Sequence, residues 1–150
     1  TTNLTPDQIH QIGLSEVSRI LQRMDAVLRQ STQEVVSLAQ ANVPVDTAFL
    51  RASIRGSLKS MPPINKAAKP IDGKSYGYSG SEISLTIAGA EIGDVVYIGW
   101  TAGYAGHVEY GTNKMAPRAF VRTAAAQWTA VVNRVSSRLK DRATGSAQTP

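Results

Sequence analysis

The sequence predicts an α+β fold: a long N-terminal helix and a C-terminal helix packed on a small antiparallel β-sheet, with a long flexible loop. Three observations predict it. Apolar or small residues recur in steps of three and four from Ile9 to Asn42, and again from Val121 to Leu139, as amphipathic helices require. Three short segments, 52–58, 82–90 and 94–100, alternate with a period of two. Between the first two of these lies a stretch, 59–81, with neither period, three prolines and three glycines.

The first helix has a written start. Thr5 suits the N-cap, Pro6 the first helical position, and Gln8 closes a capping box. The apolar stripe holds one phase for more than thirty residues (Ile9, Gly13, Val17, Ile20, Met24, Val27/Leu28, Ser31, Val35, Leu38/Ala39), giving a rod of roughly 50 Å. Gly13 is a candidate kink. A stripe that long exceeds what a domain of this size can cover, so one end is expected to pack on a neighbouring subunit. Pro44 ends the helix by disfavouring helical geometry at Val43.

Asp46 or Thr47 can cap a single turn over 48–51, and 52–58 reads as a half-buried strand. The 59–81 stretch, with four lysines against one Asp, reads as an arm that orders only in an assembly. The 82–90 and 94–100 segments, joined through Glu91-Ile92-Gly93, read as a hairpin, so the sheet is expected to have at least three strands. A short helix follows from Tyr104, stopped by Gly111. Pro117 suits the first turn of a last helix running to about residue 142. Residues 1–142 thus form one domain and 143–150 a flexible tail.

Composition narrows the function classes. A chain of 150 residues supports one core. The absence of Cys removes disulfides and thiolate metal sites. The longest dense apolar run, 95–100, is far short of the ~20 residues of a membrane helix, and the first residues carry no secretory pattern. The net charge of +5 is uneven: residues 1–111 hold 9 Lys/Arg against 10 Asp/Glu, whereas 112–150 hold 7 against 1. That excess suits an acidic partner or DNA, or a solvated cationic face. On a helical wheel Arg118, Arg122 and Lys140 flank one side of the apolar stripe and Arg134 and Arg138 the other, so they form no single DNA-reading stripe.

Two motifs stand out. One is Val43-Pro44-Val45-Asp46-Thr47-Ala48-Phe49-Leu50-Arg51-Ala52-Ser53-Ile54; the other is YAGHVEYGT, from Tyr104 to Thr112, followed by a loop and Pro117-Arg118-Ala119-Phe120-Val121-Arg122-Thr123-Ala124. Together, in this order and spacing, they resemble the two signatures of the head–tail joining (neck, or tail-completion) proteins of tailed bacteriophages. Ala48 stands where that family prefers Gly, and Ala119 where a second Pro is usual. The resemblance implies a structural virion component with neither cofactor nor metal, and copies arranged in a ring, commonly sixfold, joining tail to DNA-filled head. Its partners would be itself, the connector or stopper, the tail terminator and the tail tube. Its location would be the virion neck, with assembly in the host cytoplasm. The nearest rival is a tail-terminator ring; the rival of another class is a basic DNA-binding accessory protein.

The residues support no catalytic constellation. Neither His10 nor His107 has a second His or a Cys at ligand spacing, and no phosphate-cradling or nucleophile-elbow motif is present. Glu109 could join Asp46 and His107 in one site only if a short helix were distorted, because residues two apart diverge. Two readings of Glu109 remain: a bidentate ion pair with Arg51, or simple exposure. The residues expected to scaffold an interface are Asp46, Thr47, Leu50, Arg51, Tyr104, Glu109, Tyr110, Gly111, Thr112, Pro117 and Phe120. Lys66, Lys69 and Lys74 are expected to touch a neighbour or passing DNA.

Overall fold

The computed structural model describes residues 3–44 and 48–146, with side chains through residue 143. The expected cap forms as written: Thr5 accepts from the Gln8 N–H, the Gln8 side chain accepts from the Thr5 N–H, and Pro6 opens α1 (Pro6–Asn42). The helix runs unbroken through Gly13 and ends at Val43, ahead of Pro44. At 1.5 Å per residue it is about 55 Å long.

Only the second half of α1 is packed. Residues 3–24 are exposed all round, including Leu4, Ile9, Ile12, Leu14, Val17 and Ile20. The boundary is sharp. Asp25 accepts a hydrogen bond from the Ile92 N–H at 2.7 Å, and Arg29 Nε donates to the Ala90 carbonyl at 2.7 Å. Beyond that clamp Ser31, Thr32, Val36, Ala39 and Gln40 are buried.

The core is smaller than the sequence suggests, and its sheet has two strands rather than three. After the single turn α2 (Phe49–Ala52), β1 (Ile54–Ser57) pairs antiparallel with β2 (Tyr97–Trp100), Ile54 opposite Trp100 and Ser57 opposite Tyr97. The expected 82–90 strand is a helix, α3 (Ser81–Ala88). Ile83 and Ile87 fit both periods, whereas Leu85 fits only that of a strand. The helix buries Ile83 and Ile87, four apart, and leaves Leu85 75% exposed, where a strand would have buried all three. The 91–94 turn does form, with the Asp94 N–H on the Glu91 carbonyl, but it joins helix to strand.

The 59–81 stretch contains no helix or strand before α3 begins at Ser81, yet it is anchored to its own chain. The Asn65 N–H donates to the Thr101 carbonyl, the Gly103 N–H donates to the Ala68 carbonyl, and Tyr76 packs edge-on against Phe49 at 4.8 Å. A Cβ on Gly103 would lie 2.7 Å from the Lys66 carbonyl oxygen, so this close approach needs Gly.

Following α4 (Ala105–Tyr110), the expected single last helix is broken into α5 (Phe120–Ala125) and α6 (Trp128–Ser146). Pro117 lies in the loop, not in the first turn; α5 starts after Ala119, whose φ is 43°. The C-terminal helix also extends four residues past the expected boundary at residue 142. Both helices pack on α1, burying Phe120, Ala124, Val131 and Val135.

Candidate functional site

The second motif closes on itself around Glu109. This carboxylate is only 6% exposed. Its Oε2 accepts from the Val121 N–H at 2.9 Å, and its Oε1 from the Arg122 N–H and Nε, both at 3.0 Å. Arg122 Nη2 also donates to the Glu109 carbonyl at 2.9 Å, and its guanidinium lies 4.9 Å from the Tyr110 ring centre. Helix α5 has Ala119 at its N-cap, a residue with no side-chain acceptor. Glu109 supplies from α4 the oxygen that a Ser or Asp would otherwise provide, to N–H groups with no helical partner of their own. Burial pushes the carboxyl up, but the two N–H groups and then the Arg122 guanidinium outweigh it and hold it below the usual carboxylate range.

The expected Glu109–Arg51 pair therefore does not form; Glu109 is committed to Arg122. Proximity explains the choice, since the loop between α4 and α5 folds back on α4, with Arg118 N–H on the Val108 carbonyl and Ala119 N–H on that of Glu109. Gly111 makes this reversal possible: its φ is 79°, and a Cβ there would sit 2.8 Å from the Met115 oxygen and the Pro117 nitrogen. Arg51 serves the other end of α1. Its Nη2 donates to the Gln40 carbonyl at 3.1 Å, the Gln40 amide donates back to the Arg51 carbonyl at 3.0 Å, and Gln40 Oε1 accepts from Trp100 Nε1 at 2.9 Å.

The two motifs do meet, through different residues. Phe49 of the first stacks on Tyr104 of the second, ring centres 6.2 Å apart. Leu50 and Val108 share the core, and a cleft of about 470 Å³ opens between Pro44, Leu50, Tyr104, His107 and Arg118. Leu50 and Phe120 are core residues, Phe120 edge-on to Trp100 at 5.1 Å. Tyr110, Thr112 and Pro117 are on the surface. Asp46 and Thr47 lie outside the described residues. Lys66, Lys69 and Lys74 are exposed, Lys74 over the Tyr76 ring.

Two residues of consequence were missed. Arg122 was visible within the second motif, thirteen positions after Glu109. The other is Glu34, one of the mixed-sign charges on the polar side of α1, which holds both Arg134 and Arg138 and ties α6 to α1. Those hydrogen bonds, Arg134 first and then Arg138, hold the Glu34 carboxyl below its usual range. Two of the C-terminal cations are thereby engaged within the chain.

Among the described residues no group of three or more His, Cys, Asp or Glu could hold a metal, and no helix is long and apolar enough to cross a membrane. The polar clusters around Glu109 and Glu34 bind secondary-structure elements together. Over residues 13–111, about two thirds of its length, the chain matches the family described as "Bacteriophage HK97-gp10, putative tail-component", and it belongs to that family. The resemblance to phage head–tail joining proteins is upheld at that level. The match ends at Gly111, so α5, α6 and the partners of Glu109 lie beyond it. No curated protein and no solved structure matches the chain.

Proposed function

We propose that the protein is a non-enzymatic structural component of the phage neck, forming a ring, commonly sixfold, that joins the tail to the DNA-filled head. The observation that carries this reading is the bare first half of α1. Isolated helices of this length are marginal in water, and apolar side chains all along one gain nothing from solvent. A surface of that kind suits a partner, and the family supplies the context of a tail assembly. The ring would assemble in the host cytoplasm and remain in the virion, in contact with connector, terminator or tube proteins.

Size-exclusion chromatography with light scattering tests the reading. The purified chain, alone or with its neck partners, is expected to run as a closed oligomer visible as rings by electron microscopy. A chain that stays single at high concentration with those partners present defeats it. DNA retention is expected to fall steeply between 50 and 200 mM salt, as for sequence-blind contact. Tight binding at the higher salt would favour the DNA-binding accessory protein instead.

A further inference from the structure

Among the described residues a second apolar feature, besides the exposed first half of α1, lies uncovered. A trough runs beside α1, in two adjoining parts of about 520 and 440 Å³ that share Leu28 and Trp128. One wall follows α1 from Ile20 to Ala39. The facing wall runs in the reverse order, from Leu139 on α6 back through Val132 and Trp128 to Val121 on α5. Trp128, at the junction, is 40% exposed.

We infer that the exposed arm of α1, residues 4–17, lies in this trough on the next copy of the chain. The inference rests on the ring reading and names its contact. Three observations select a second copy as the occupant. First, the arm cannot fill its own trough, because α1 is one unbroken helix and the trough wall is its direct continuation. Second, the dimensions agree. The arm is about 20 Å long and the trough about 28 Å at 1.5 Å per residue. Leu4, Ile9, Ile12, Leu14 and Val17 are each about half exposed. On the helix Ile9 and Val17 share one face with Gly13, and Ile12 and Leu14 lie on its two flanks. The side turned to the trough thus offers on the order of 200–300 Å² of apolar surface, a contact of the small, reversible size class that a closed ring would repeat at every joint. Third, Gly13 lies within the apolar stripe with nothing of its own chain within 4 Å of a Cβ position. A Gly inside a helix is a liability that close approach of another backbone would offset. Charge leans the same way: the arm carries Asp7 and Glu16, the latter beside Arg19, and the trough Arg23 and Lys140 against Asp94.

Arm and trough are different patches, so the contact is heterologous and propagates from copy to copy until rotation closes it. That asymmetry gives a decisive experiment on the full chain. The arm variant Ile9→Glu/Val17→Glu and the trough variant Trp128→Ala are each expected to weaken self-association at least about thirty-fold. Mixed one to one they should give a dimer that grows no further, because each pair retains one intact arm and one intact trough. Circular dichroism verifies folding, and Leu139→Glu replaces Trp128→Ala should the latter unfold. In the native chain Trp128 emission should shift to the blue on assembly while Trp100, already buried, holds constant. If both variants assemble like the native chain, or the mixture yields nothing, the docking is overturned and the ring stands on another surface. If the native chain itself never associates, ring and docking fall together.

Discussion

The two halves of α1 have nearly the same composition and opposite circumstances. From Asp25 onward the helix is clamped by Ile92 and Ala90 and packs on α3, α5 and α6. Before it, the same apolar period continues over surface with nothing opposite. The difference teaches that periodicity reports a face meant for burial without saying which molecule buries it. Intrinsic propensity is similar along the rod; tertiary contact makes one half stable and leaves the other marginal.

The largest effect expected is at Val36, buried in the packed half. Val36→Glu places an unpaired charge in the core and should cost more than about 4 kcal/mol, enough to abolish the cooperative urea transition. The same change at Val17 should leave monomer stability within about 0.5 kcal/mol. Equal losses at both sites would erase the distinction between the halves.

Next in size is Glu109→Ala, which strips α5 of its acceptor and leaves Arg122 without its carboxylate. It should cost about 2–3 kcal/mol by urea denaturation, with Glu109→Gln retaining part of the difference. Acid should act in the same direction. Glu109 and Glu34 both titrate below the unfolded value of about 4.5. The stability they contribute is complete above that pH and is lost as pH falls through their folded values. A thermal melt series from pH 6 to 3 should show the native chain losing stability faster than Glu109→Gln.

Glu34→Ala should cost at most about 1 kcal/mol, and less in 0.5 M salt, since both arginines are substantially exposed. Smallest is Gly13→Ala, worth up to about 1 kcal/mol to the arm helix alone. It should slow amide exchange before Met24 and leave the melting temperature unchanged, because the arm opens independently of the core.

The long helix, its cap, its end at Pro44 and the stop at Gly111 were legible because each depends on a few adjacent residues. The 82–90 helix was not. Ile83 and Ile87 satisfy both periods, Leu85 only that of a strand, and the surface placement of Leu85 decides between them. The break at Ala126 and Gln127 carries no Gly or Pro, so no punctuation marked it. At the site, the burial question around Glu109 was legible and its answer was not: neither the Arg51 pair nor exposure holds, because a backbone reversal at Gly111 brings Arg122 close. Ala48 and Ala119 both hold positive φ (62° and 43°), the first where the resembling family prefers Gly, so that departure left the backbone conformation intact.

The unbroken course of α1 makes it a lever. Its fulcrum is the clamp at Asp25, and its free end projects about 28 Å beyond. A reorientation of only 5° at the fulcrum would sweep the tip by ~2.5 Å, half a helical turn. In the ring proposed above, small repackings around Ser31 or Val36 would thus change the angle between successive copies, and with it the diameter at which a circle of them closes.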